Sequence, residues 1–238
     1  MSASGSLTPV DATLSVWLKG ADLVATTAEL ALRHKMGFSR ELAGLKRQDF
    51  YRFSIYTPGD PRRMVAALRG VLDAQSTFYN RNKHQFDLVC AWSGTGGEEK
   101  IEEGIACKTL QERFVSALAD KLHESGVEES SGKRPFEKVT LDATFSYLAE
   151  VMVEDDDASA RTAVAVRLRA GLSAIEGLDD IRVECRHRAT RWWLALRAAG
   201  EDAARDLARR ITVTTRRDAG LLMNPSYQRA EFISVLPL

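Results

Sequence analysis

No stretch of the 238-residue chain comes near eighteen uninterrupted apolar residues, so no membrane-spanning helix is expected. The first ten residues, MSASGSLTPV, lack both a basic start and an apolar core, and a secretory signal is not expected. Cysteine is scarce. Cys90, Cys107 and Cys185 are odd in number and fall in no CxxC motif, which points to free thiols in a reducing, cytoplasmic setting. The four histidines, His34, His84, His123 and His187, include no pair at i, i+2 or i, i+4 spacing, so a local metal site is unsupported. Net charge is also missing: 33 basic residues balance 33 acidic ones. Binding to nucleic acid through bulk positive charge is therefore not expected. Lysine disappears after Lys138, while Arg161 to Arg217 holds thirteen arginines against seven acids. That bias reflects either genome composition or an anion-facing surface, since arginine grips phosphate and carboxylate in a planar fork.

What is present is ordinary for a packed protein, with 45% hydrophobic and 28% charged residues. From Thr13, the residues Leu14, Val16 and Leu18 alternate as a half-buried strand does. Ala21 to Met36 follows a helical period and Gly37 is placed to end it. A turn at Gly44-Leu45 precedes the alternation of Tyr51, Phe53 and Ile55. TPGDP, Thr57 to Pro61, is a turn into a helix whose buried face carries Val65, Leu68, Leu72 and Tyr79. Phe86, Leu88 and Cys90 form the next strand.

The second half repeats this order. Phe145 to Val153 reads as a strand, and the acidic run Glu154 to Asp157 stands where a helix N-terminus favours negative charge. Ala160, Val164 and Leu168 mark the helix, Gly171 its close, and Gly177-Leu178 a turn. Alternations at Ile181 to Cys185 and Trp192 to Leu196, a helix through Ala204 and Ile211, and a last strand at Glu231 to Val235 follow. Gly44 is set opposite Gly177 and Asn80 opposite Asn224. The expected architecture is α+β, an internal duplication of a βαββαβ unit. Its parts are a first unit at 1–92, a helix and linker at 93–137, and a second unit at 138–238. In the join, Cys107, Leu110, Phe114, Leu118 and Leu122 make an amphipathic stripe. His123 to Pro135 is polar and glycine/serine-rich, as linkers are.

The second half resembles PurS, the small subunit of formylglycinamidine ribonucleotide amidotransferase. The resemblance rests on GLDDIRV, with Asp180, Ile181, Arg182 and Val183, and on LLMNPSYQRAEFI, with Leu221, Leu222, Asn224 and Pro225. Arg81 replaces an expected proline in the first half, and His187-Arg188 stands where the family has a Gly-Lys turn. The resemblance implies two ferredoxin-like units with their sheets packed face to face. It also implies a non-catalytic accessory role without a cofactor, in which a synthetase or amidotransferase-like enzyme is held in a hetero-complex or homo-oligomer.

The chemical motifs weigh the same way. Gly94, Gly96 and Gly97 are followed by Glu98-Glu99-Lys100, not by the Lys-Ser/Thr of a phosphate loop. Two glutamates at a helix entrance would repel phosphate, so the stretch reads as a seam. No serine sits in a G-x-S-x-G elbow. A rival class is a small-molecule or haem-binding enzyme of the dimeric α+β barrel type, as in chlorite dismutase-like proteins. His187 or His123 would then be the proximal ligand, although that family's surrounding pattern is lacking. An anion- or RNA-binding module using the arginines is a further alternative. The Trp192-Trp193 pair places one ring on each face of a strand. Trp192, Trp193, Arg182, Arg188 and Arg191 are therefore the candidate interface residues.

Overall fold

The computed structural model describes residues 7–75, 78–80, 82–94, 97–103, 146–215 and 220–237, with side chains described outside 93–103. The first repeat runs β1 (Thr8–Leu18), α1 (Leu23–His34), β2 (Leu42–Thr57), α2 (Pro61–Ala74) and β3 (His84–Gly94). β4 (Gly97–Glu103) then pairs back on β3. The second repeat runs β5 (Tyr147–Asp155), α3 (Ala158–Ser173), β6 (Arg182–Leu196), α4 (Glu201–Thr212) and β7 (Gln228–Pro237).

Three of the four described helices start on an aspartate whose side chain accepts backbone N–H groups. These are Asp22, Asp60 and Asp157, and Pro61 takes the first helical position of α2, where its missing N–H costs nothing. Of the acidic run Glu154 to Asp157, Asp157 caps α3 as expected, whereas Glu154 and Asp155 end strand β5. Gly177, with φ of 79°, makes its expected turn. Gly171 does not end α3. It lies inside the helix, where a Cβ would stand 2.3 Å from Gln75 and 2.7 Å from Val71, so its small size lets α3 approach α2.

All seven strands form one antiparallel sheet in the order β4-β3-β1-β2-β6-β5-β7. The expected face-to-face packing of two sheets is therefore corrected: the halves join edge to edge through β2 and β6. The reason lies in the middle of each repeat, where a hairpin was expected and one long strand is found. Gly44 sits within β2 at a register shift, and His187-Arg188 sits within β6 near a second shift opposite Arg52/Phe53. A tight hairpin needs positive φ at its centre. Among the described glycines only Gly37, Gly177 and Gly220 adopt it, so the chain runs straight through both sites. The seam glycines Gly94 and Gly97 also pair across a strand hairpin, and Glu98-Glu99 lies on β4 rather than at a helix entrance. The Cys107 to Leu122 stripe and the linker to Pro135 lie outside the described residues.

The register reveals an internal two-fold relation. Val16 and Val153 are the last core-facing residues of the β1–β2 and β5–β6 ladders; matched on that ground, their partners Asp49 and Thr190 hold corresponding places. These two residues also pair with each other. The axis passes between them, and each repeat hands elements to the other side. One core gathers β1, β3, α2 and Phe53 and Ile55 of β2 from the first repeat, together with Leu168, Leu172, Leu178 and Ile181 from the second. The other gathers β5, α4 and the last part of β6 with Ala25, Leu32, Phe38, Leu42 and Leu45 from the first repeat. Both cores lie on the same face of the sheet, since strand residues two apart share a face. The expected Asn80/Asn224 register is matched by identical turns. The side chains of Asn80 and Asn224 accept from Asn82 and Ser226 N–H, and each asparagine N–H donates to the side chain four residues on, His84 or Gln228. Gly177 corresponds instead to Gly37, which also follows a helix with positive φ.

Candidate functional site

The five candidate interface residues do not form one patch. Trp192 lies on the helix-covered face, buried with Ala204, Leu207 and Val151. Trp193 lies on the opposite face with Leu148 and Ala195. The separation of the two rings follows from strand alternation, as expected. Arg191 shares the Trp193 face. Its guanidinium sits 4.3 Å from the centre of the Phe50 ring, and its Nε is 2.9 Å from Glu150 Oε1. That Nε makes no hydrogen bond, so the contact is an ion pair without an aligned donor. Burial raises the Glu150 pKa against the opposing pull of Arg191, and burial lowers that of Arg191. Arg182 lies over the Tyr56 ring and pairs with Glu184. Arg188 lies on the helix face beside Tyr51, Asp49, Asp155 and Thr190, around a cavity of about 110 Å³. Burial first, then Asp49, raises the Tyr51 pKa there, while Arg188 lowers it.

His187 is 3.6 Å from Glu154 at the partly exposed start of β6, and His123 lies outside the described residues. No described helix is long and apolar enough to cross a membrane.

Two features were not legible in the sequence. The first is an apolar groove between α1 and the turn before β7, lined by Leu23, Val24, Ala28, Ala31, Leu221 and Leu222 with Trp192 at its floor. Leu23 is 75% exposed and Val24 52%. The Leu221-Leu222 pair belongs to this turn and not to the end of a helix, because α4 stops at Thr212.

The second is a fork in the sheet. β1 pairs with β2 only as far as Val16–Asp49, while β2 extends back to Leu42. The ladder edge left open there is met by α1. Glu29 accepts from the Leu45 N–H at 3.2 Å and from Arg33 at 3.3 Å, and the capping residue Asp22 holds Arg47 at 3.1 Å. The fork encloses a cavity of about 370 Å³ whose walls include Trp17, Asp22, Glu29, Lys46, Gln48 and Trp193. The one available signal was Trp17, a bulky residue on the phase of β1 opposite Leu14 and Val16.

Comparison of the chain with protein-family models, with curated proteins and with solved structures finds no match.

Proposed function

We propose that this chain is a non-catalytic assembly subunit, PurS-like in plan, that holds partner enzymes through its helix layer and strand edges. The observation that carries the reading is the exposed apolar groove beside α1, with Trp192 at its floor and Leu23 and Val24 on its rim. Large apolar side chains exposed around a concave floor are typical of a protein-binding surface. The exchanged halves support the PurS-like plan. On each side of the Asp49/Thr190 axis, four strand segments and two helices from both repeats gather as a ferredoxin-like unit would, so one chain resembles a fused pair. Among the described residues the outer strand β7, ten residues long, has a neighbouring strand on one side alone, and its other edge is one on which another strand can pair.

The test uses the tagged chain expressed in its own cells, with purification followed by light scattering. A stoichiometric protein partner is expected, and Leu23→Asp should abolish its recovery while leaving the melting temperature of the exposed-site variant unchanged. A strict 26.4 kDa monomer that turns over a small substrate would defeat the assembly role.

A further inference from the structure

We propose that the hollow between the end of α4 and the loop after α1 binds a small organic anion with an apolar body, a carboxylate or a phosphate monoester carrying a hydrocarbon tail. The inference is independent of the assembly role. The hollow has a volume of about 420 Å³, in the range of small-molecule sites. Met36, Phe38, Val213 and Phe232 give it an apolar lining, Arg209 and Arg210 give it charge, and no described acid lines it. The Arg209 guanidinium lies 5.6 Å from the centre of the Phe232 ring, and that of Arg210 lies 5.5 Å from the centre of the Phe38 ring. Contact with a ring face uses the charge of the cation and leaves its N–H donors for a partner.

Those donors are little used. Arg209 meets an acid only at Asp206, 3.7 Å away, and both side chains are mostly exposed, at 56% and 75%. An exposed pair of that kind contributes little. Arg210 has no ion pair or hydrogen bond among the described residues, its ring contact with Phe38 apart. Both arginines stand in the last turn of α4, where positive charge suits the helix dipole. The fold does not require them there: α2, the second helix of the first repeat as α4 is of the second, has no basic residue in its last turn. The loops differ as well. Beside Gly177, which matches Gly37, Glu176 and Leu178 stand in the places of Met36 and Phe38. An acid-free hollow flanked by two lightly engaged guanidiniums is therefore not demanded by the shared architecture. Its positive rim and apolar floor complement a ligand that is anionic at one end and apolar at the other.

The experiment follows the methyl signals of the five methionines in the full-length chain by ¹³C NMR, with the Met36 signal assigned by Met36→Leu. The probes are octanoate and octyl phosphate, with 1-octanol as the uncharged control and inorganic phosphate as the control without a tail. A saturable shift of the Met36 methyl is expected with at least one of the two anions, and the tighter of them tells which head group the site takes. Met64, in the other core, and Met152, on the opposite face of the sheet, should stay still. The alcohol should bind at least about tenfold more weakly than the better anion, as the loss of a charge-assisted hydrogen bond requires. Arg210→Gln should erase most of that difference. Absence of a saturable Met36 shift with both anions would overturn the proposal. So would equal affinity for octanol or for inorganic phosphate, or movement of Met64 and Met152 together with Met36. Arg210 is exposed and the shifts are read in the unaltered chain, so the outcome does not depend on a variant folding.

Discussion

At Gly220 the backbone φ is 75°, and a Cβ there would stand 1.8 Å from the Val213 carbonyl oxygen. The close approach lets Leu221, Leu222 and Met223 donate to the carbonyls of Ile211 and Thr212, which pins the turn under β7. Gly220→Ala must move backbone as well as strain φ, and should cost at least about 2 kcal/mol in urea denaturation. Cys185 carries a different residue-scale property. Burial raises its thiol from 9.0 to about 11, against the pull of Arg161 and Arg188. A thiol raised on folding contributes its full stability below pH 9 and loses it as pH rises through about 11, because the unfolded chain ionises first. Alkylation of Cys185 by iodoacetamide, mapped by mass spectrometry, should therefore stay slow at pH 8 to 9 and rise steeply toward pH 11. Fast labelling at pH 8 would contradict the burial of the thiolate.

Between strands the decisive features are cross-strand. Arg191 of β6 and Glu150 of β5 share a face, and both side chains are largely buried, at 17% and 11% exposure. Removing one partner leaves the other charge buried alone, so Arg191→Met should cost about 3–5 kcal/mol. The double variant Arg191→Met/Glu150→Leu should recover most of that loss, since the apolar pair carries no charge to desolvate. Chemical denaturation of the three proteins checks this, and a double variant no better than the single one would show that the pair is held by more than mutual charge. β2 and β6 show why element order alone misleads. The alternations at Tyr51 to Ile55 and at Ile181 to Cys185 were legible in the sequence. That each belongs to a single strand of 16 or 15 residues was not, because alternation continues through a straight strand and resumes after a hairpin in the same way.

For the molecule as a whole, the exchange across the Asp49/Thr190 axis ties the two cores together. Leu168 and Leu172 of the second repeat complete the core of the first, and Ala25 and Leu32 of the first complete that of the second. Neither repeat can lose its packing without opening the other. A single cooperative unfolding transition is therefore expected, with fluorescence and far-ultraviolet circular dichroism coincident. Two resolved transitions would mean that the repeats fold independently.

The α+β class, a helix after the TPGDP turn, a helix after the acidic run that ends at Asp157, the matched places of Asn80 and Asn224, and the split of Trp192 from Trp193 between faces were all legible in the residues alone. These are local matters of period, capping and turn chemistry, and a short window of residues suffices to set them. That the two halves share one sheet, that Gly44 lies in a strand, and that Trp17, Gln48 and Trp193 meet around a cavity was settled by packing between distant elements. Those outcomes depend on where β1 stops pairing with β2 and on which repeat each helix packs against. Such choices are made by the fit between elements far apart in the chain, and no local pattern records them.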